Sequence, residues 1–184
     1  MLWIILIIVV LLILFIISAY NSLVTLRQRV KNAFGQMDVQ LQRRFDLIPN
    51  LVETVKGYMT HESDTLAKVT ELRTAWAGAK TVDEKAKLDN ELSNTLKTIM
   101  AVAEAYPDLK ANQNFESLQN ELTETEDKIS YSRQFYNDTV TKYNTKLELF
   151  PSNIVAGMFH FTAESLFEVD SAEARKNVKV DFNK

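Results

Sequence analysis

At 184 residues with a formal net charge of −3, the chain has material for about one ordinary domain and carries no field strong enough to gather nucleic acid. It contains no cysteine, which excludes disulfides, thiolate metal sites, a cysteine nucleophile and a lipid-modified N-terminal cysteine. With 4 glycines and 3 prolines there are too few turn-formers for an all-β fold, so long helices are expected.

From Met1 to Ile17 every side chain is apolar, and Ser18, Ala19 and Tyr20 extend the run without a charge. At ~1.5 Å per residue this is about 30 Å of helix, the hydrocarbon thickness of a bilayer, and it is apolar all round rather than along one stripe. Residues 1–20 are therefore expected to be a transmembrane anchor and 21–184 the domain it carries. A cleaved signal peptide would need a positively charged start and a core of about 7 to 15 residues; Met1, Leu2 and Trp3 supply no basic side chain and the run is longer, so retention is expected. Arg27, Arg29, Lys31, Arg43 and Arg44 all follow the span and none precedes it, which orients the domain to the cytoplasm and the short N-terminus outside. Trp3 and Tyr20 stand near opposite ends, where amphipathic rings prefer the headgroups.

After the span, Val30, Phe34, Met37, Leu41, Phe45, Ile48, Val52, Val55 and Met59 form a helical stripe. Pro49 removes a backbone donor and clashes with the preceding turn, predicting a kink or restart near Asp46 to Pro49, with Asp46 as a candidate cap. A second helix is expected from near His61 to Gly78, with Leu66, Val69, Leu72, Arg73 and Trp76 on one side. Thr81, with Glu84 three positions on, offers a capping box for a third helix carrying Leu88, Leu92, Leu96, Ile99 and Val102 and ending at Tyr106 and Pro107. Phe115, Leu122, Ile129, Tyr136, Tyr143 and Phe150 then recur every seven residues, predicting a long helix with an apolar seam, closed by Pro151. Thr125, Ser132 and Thr139 on the intervening positions suit a bundle better than a two-stranded coil. Ile154 to Phe161 reads as a short apolar helix, and Val178, Val180 and Phe182 alternate as an extended tail would. Short connections favour antiparallel neighbours, so the expected fold is all-α: an N-terminal transmembrane helix, an elongated antiparallel bundle of three to four long helices and a short extended tail.

The stretch Asp38-Val39-Gln40-Leu41-Gln42-Arg43-Arg44-Phe45-Asp46-Leu47-Ile48-Pro49-Asn50-Leu51-Val52 resembles the opening signature of the LemA family. Two further stretches strengthen the likeness: Tyr106-Pro107-Asp108-Leu109-Lys110-Ala111-Asn112 with Phe115 and Leu118, and Tyr136-Asn137-Asp138 with Tyr143-Asn144 and Phe150-Pro151-Ser152-Asn153. With Phe167-Glu168 and the Val178 to Phe182 segment it extends over nearly the whole chain; Met37 stands where the family commonly has isoleucine, a volume-conserving change. The resemblance implies a bacterial inner-membrane protein with one N-terminal span and an elongated α-helical domain, and it implies no catalytic residues.

Di-iron bundles need Glu-x-x-His motifs, and neither His61 nor His160 has a glutamate three positions before it. His61-Glu62 lacks the second histidine of a zinc protease, and no phosphate loop or serine elbow occurs, so no metal and no cofactor are expected. Glu121, Glu124, Glu126 and Asp127 lie off the seam and read as a solvated face rather than as paired catalytic carboxylates. Arg43, Arg44 and Asp46 beside Pro49 are the candidate lipid or partner contacts, against the alternatives of ion pairing between helices or simple exposure. Asn112, Asn114, Asn137, Asn144 and Asn153 are either ligand groups or local hydrogen-bonding groups, with Asn and Ser around Pro107 and Pro151 expected to cap helix ends. Tyr131, Tyr136 and Tyr143 are expected in the core with bonded hydroxyls.

The expected function is a membrane-anchored, non-catalytic scaffold or interaction protein, with self-assembly left open; the alternative is an accessory subunit of a membrane protease or other envelope-maintenance enzyme. Its partners would be the lipid bilayer through residues 1–20, a second copy of the chain, or an unidentified membrane or cytoplasmic protein, and not nucleic acid. An enzyme would be distinguished by a concave pocket with converging titratable groups.

Overall fold

The computed structural model describes residues 1–59 and 61–168; Val178, Val180 and Phe182, expected as an extended tail, lie outside the described residues. Seven helices follow in order: α1 (Leu2–Asp46), α2 (Ile48–Lys56), α3 (Ser63–Gly78), α4 (Val82–Ala103), α5 (Pro107–Lys110), α6 (Gln113–Glu148) and α7 (Ser152–Met158). The fold is all-α, as the periodicities require.

No proline or glycine precedes Gly35, and α1 accordingly passes Tyr20 without a break, a single helix of 45 residues and about 68 Å at ~1.5 Å per residue. Its apolar residues up to Phe15 are exposed, and burial begins at Ala19 and returns at Leu23, Val30, Ala33, Met37, Leu41 and Phe45. The break comes at Leu47, two residues before Pro49, as the sequence predicts. Asp46 does not cap the restart. Leu47 keeps helical angles (φ −77, ψ −18), donates to the Arg43 and Arg44 carbonyls and accepts from Leu51, so the two helices share a turn and leave Asp46 no donor to satisfy.

The main helices alternate in direction. Phe34 meets Tyr136 and Arg44 meets Glu126, so α6 runs antiparallel to α1. Asp38 pairs with Lys85 and Arg44 with Asp89, so α4 runs parallel to α1. Lys68 of α3 pairs with Glu91 of α4, and Trp76 at the end of α3 stacks on Phe45. The result is an up-down-up-down bundle with one continuous core through α1, α2, α3, α4 and α6. Thr81 accepts from the Glu84 amide and Glu84 from the Thr81 amide, the expected capping box of α4, and the Lys80 and Thr81 amides hold the Glu84 carboxyl below its usual range. Leu66, Val69, Leu72 and Trp76 are buried on α3, whereas Arg73, one residue from Leu72 and so about 100° around the helix, is exposed. The seven-residue seam of α6 is buried from Phe115 to Tyr143; Phe150 lies beyond the end of the helix and is 79% exposed.

The bundle tapers. The α3–α4 hairpin reaches α1 from about Phe34 upward, and below it α1 and α6 continue as a pair toward α7. There Ala19 and Leu23 of α1 close on Val155 and Ala156 of α7 in a small second core. α7 ends in a Schellman turn: the Phe161 amide donates to the Ala156 carbonyl and the His160 amide to the Gly157 carbonyl, with His160 at φ 56, a left-handed position usually given to glycine. Residues 161–168 then return upward along α6 as an extended strap, ending on the buried Phe167.

Candidate functional site

Arg43, Arg44 and Asp46 are neighbours in sequence but not in space. Arg43 and Asp46 are on the outside, where Asp46 accepts from Gln42 Nε2 at 2.9 Å. Arg44, one helical step away, is 1% exposed and threads between α4 and α6. Its Nη1 donates to Ser93 Oγ at 2.9 Å and to Glu126, and its Nη2 to the Asp89 carbonyl at 3.1 Å and to the Asp89 carboxylate. Arg133 of α6 approaches the other Asp89 oxygen at 4.0 Å. Burial pushes the Asp89 carboxyl up from its usual range, and the Arg44 charge pulls it back down.

Asp38 and Gln42 act as clasps as well. Asp38 holds Lys85, whose ammonium also lies 5.4 Å from the Phe34 ring centre and 5.0 Å from that of Trp76. Gln42 Oε1 accepts from Trp76 Nε1 at 3.1 Å, and Phe45 stacks on the same indole at 4.4 Å. Asp38, Gln42, Arg44 and Phe45 thus each take a group from α3, α4 or α6. The distinctive sequence here fixes the joint between helices.

Beside Arg44, α4 and α6 part to leave an open cleft of about 360 Å³, with Leu96, Met100 and Leu122 among its apolar walls and Lys97, Glu126 and Asp127 at its polar rim. The guanidinium is already committed to two carboxylates, and Ser93 accepts from Arg44 rather than standing beside a base. His61 and His160 are on other segments, both exposed. Among the described residues no group of three or more His, Cys, Asp and Glu side chains could hold a metal ion.

A second constellation was missed by sequence reasoning. Tyr143 donates to the Thr162 carbonyl at 3.0 Å, and Asn144 both donates to the Glu164 carbonyl at 2.9 Å and accepts from its amide at 3.0 Å. Seven residues earlier, Tyr136 donates to the Ser165 carbonyl at 2.8 Å, and Asn137 binds the carbonyl and amide of Phe167 at 3.1 and 2.8 Å. The two sets are related by a simple translation. Seven helical residues rise about 10.5 Å, and three residues of extended chain span about 10 Å, so each Tyr-Asn pair reads the strap three residues further on. Burial pushes the Tyr136 hydroxyl up to about 12, with Glu164 and Asp83 adding to the effect; burial also raises Tyr143, against the pull of Arg27. The recurrence of Tyr-Asn after seven residues was the available signal.

Of the remaining asparagines, Asn112 caps α6 by accepting from the Asn114 and Phe115 amides at 2.9 and 3.2 Å. Ser152 satisfies the other end, donating to the Lys146 and Leu149 carbonyls, each at 2.8 Å. Tyr136 and Tyr143 are in the core as expected; Tyr131 is not, being 76% exposed on the outer face of α6.

The family model described as the LemA family matches residues 33–182. Protein LemA of Metamycoplasma hominis is 25% identical over 155 residues, covering 83% of this chain and 70% of that protein. Magnetosome protein MamQ 2 of Paramagnetospirillum magneticum is 25% identical over 179 residues, covering 83% of this chain and 66% of the relative. Magnetosome protein MamQ of Magnetospirillum gryphiswaldense is 22% identical over 178 residues, covering 83% of this chain and 65% of the relative. The chain therefore spans about two thirds of the length of these magnetosome relatives.

Proposed function

The chain belongs to the LemA family, and from that premise we propose that it is a membrane-tethered, non-catalytic scaffold whose bundle is held at the cytoplasmic face of the inner membrane by residues 1–20. The observation that carries this reading is the continuity of α1. The same helix that is long and apolar enough to cross a bilayer also contributes Val30 to Phe45 to the bundle core, with no linker between the two. A joint of this kind fixes the bundle relative to the span, which suits a protein that presents a surface at a membrane. It also raises the effective concentration of that surface for partners in the same leaflet.

The polar constellations support a structural role: both terminal nitrogens of Arg44, and the side chains of Asp89, Asn137 and Asn144, bond to the chain itself. An upright α1 carries Arg43 about 35 Å beyond Tyr20, out of reach of the headgroups, so the partner it suits is a protein. Self-association belongs to the same proposal, with Tyr131 and Phe135, four residues apart on the outer face of α6, as the exposed aromatic surface.

The test is extraction of native membranes with alkaline carbonate, with protease added to sealed vesicles of either orientation. The chain should stay in the pellet, and its C-terminus should be cut only where the cytoplasmic face is outward. Release into the supernatant would overturn the tether, and cleavage in the opposite vesicles would reverse the orientation.

A further inference from the structure

The lower corner of the molecule carries more exposed apolar surface than any water-facing turn needs. From Leu149 to Ala163 the chain has no Asp, Glu, Lys or Arg, and the run is bounded by Glu148 and Glu164. Within it Phe150 is 79% exposed, Ile154 and Met158 each 56%, and Leu149 and Phe159 about half. On a seven-residue helix this leaves one side packed and the other bare, since Val155 and Ala156 are buried against Ala19 and Leu23.

The position of that bare side matters more than its size. α7 sits against Ile16, Ala19 and Leu23 of α1, and the Tyr20 ring is 4.7 Å from Phe159 and 5.7 Å from Phe161. Those are the last turns of the apolar run and the first turn beyond it. If residues 1–20 cross the bilayer, anything packed on Ile16 and Tyr20 is at the depth where acyl chains meet headgroups. Arg27, 5.1 Å above the Phe161 ring, marks the polar side of that boundary.

We propose that the corner from Leu149 to Phe161 is a second membrane contact, a wedge that enters the interfacial layer of the same leaflet beside the span. Its occupant is phospholipid: the run, its large apolar side chains and its continuity with the anchor fit an acyl–headgroup boundary and offer a charged partner no Asp, Glu, Lys or Arg. The inference rests on reading residues 1–20 as a span.

Because the chain has no cysteine, single labelling sites are clean. Full-length Phe150→Cys, Ile154→Cys and Met158→Cys would each carry a polarity-sensitive fluorophore in phosphatidylcholine nanodiscs, with Ala67→Cys, exposed on α3, as a water-exposed reference and Ile8→Cys inside the span. The quenchers are doxyl-labelled phospholipid in one arm and aqueous iodide in the other. The three corner probes and Ile8 should be quenched by the lipid at least about twofold and little by iodide, with the reverse at Ala67. Iodide quenching of the corner like that at Ala67, with Ile8 still quenched by lipid, overturns the wedge and leaves the tether standing. Corner probes shielded from both quenchers mean that protein covers the corner, which also overturns it. An Ile8 probe that lipid does not quench sinks the tether and the wedge together.

Discussion

The two ends of the bundle solve the packing of α1 in opposite ways. At the far end Arg44 of α1 is buried among Asp89 and Ser93 of α4 and Glu126 of α6, and the neighbouring Phe45 stacks on Trp76 of α3. At the near end α1 meets α7 through Ala19, Leu23, Val155 and Ala156, with no charged group in that core. The difference follows from the number of elements available. Three helices can surround a guanidinium and satisfy both its terminal nitrogens, whereas two helices leave a charge between them without enough partners. Small residues let two backbones approach closely instead.

Removing the charge should show how much the far end rests on it. Arg44→Ala strands the Asp89 carboxylate in the core and should cost about 3–5 kcal/mol in denaturant unfolding followed by circular dichroism. Replacing Arg44 and Asp89 together with Met and Leu should restore most of that, because Glu126 is half-exposed and can be solvated alone. A single-variant loss under about 1 kcal/mol would mean that the apolar contacts of α1 carry the far end without the ion pair.

Between the ends, the strap is held by side chains that read its backbone, so its loss should be local. Asn137→Ala removes two hydrogen bonds at about 1 kcal/mol each, and the Phe167 amide should exchange with deuterium about tenfold or more faster. Amides of Leu41 and Leu92 should be unaffected; a uniform rise across the bundle would show instead that the strap is part of the global core.

The smallest effect is expected at the near end. His160→Gly relieves a left-handed residue without touching the Ala19–Ala156 contact, and should raise stability by several tenths to about 1 kcal/mol in thermal unfolding in detergent. A loss would indicate that the imidazole makes a contact that matters more than the backbone angle.

Sequence reasoning reached what depends on local rules. The apolar run, the break before Pro49, the Thr81–Glu84 box and the seam from Phe115 to Tyr143 are each set by residues a few positions apart, and each is where the pattern puts it. It failed where the deciding partner is distant. Arg44 falls on the buried stripe, three residues after Leu41 and four before Ile48, whereas Arg43 does not; what the sequence hid is Asp89, 45 residues away, the partner that lets a guanidinium sit there. Asp46 failed as a cap because Leu47 stayed helical. The strap escaped because Asn137 and Asn144 bind its peptide groups, which are the same for every residue type. Such a segment needs no sustained apolar alternation, and Phe167 is the buried residue among 161–168.

With residues 1–20 as the proposed span, the unbroken run of α1 from Tyr20 to Asp46 would make its far tip a lever driven by the bilayer. The 26 residues between them measure about 39 Å, so a span inclined by about 20° swings the Arg44 joint sideways by about 13 Å. Membrane thickness, which governs that inclination through hydrophobic mismatch, would then decide where the bundle's outer face is offered.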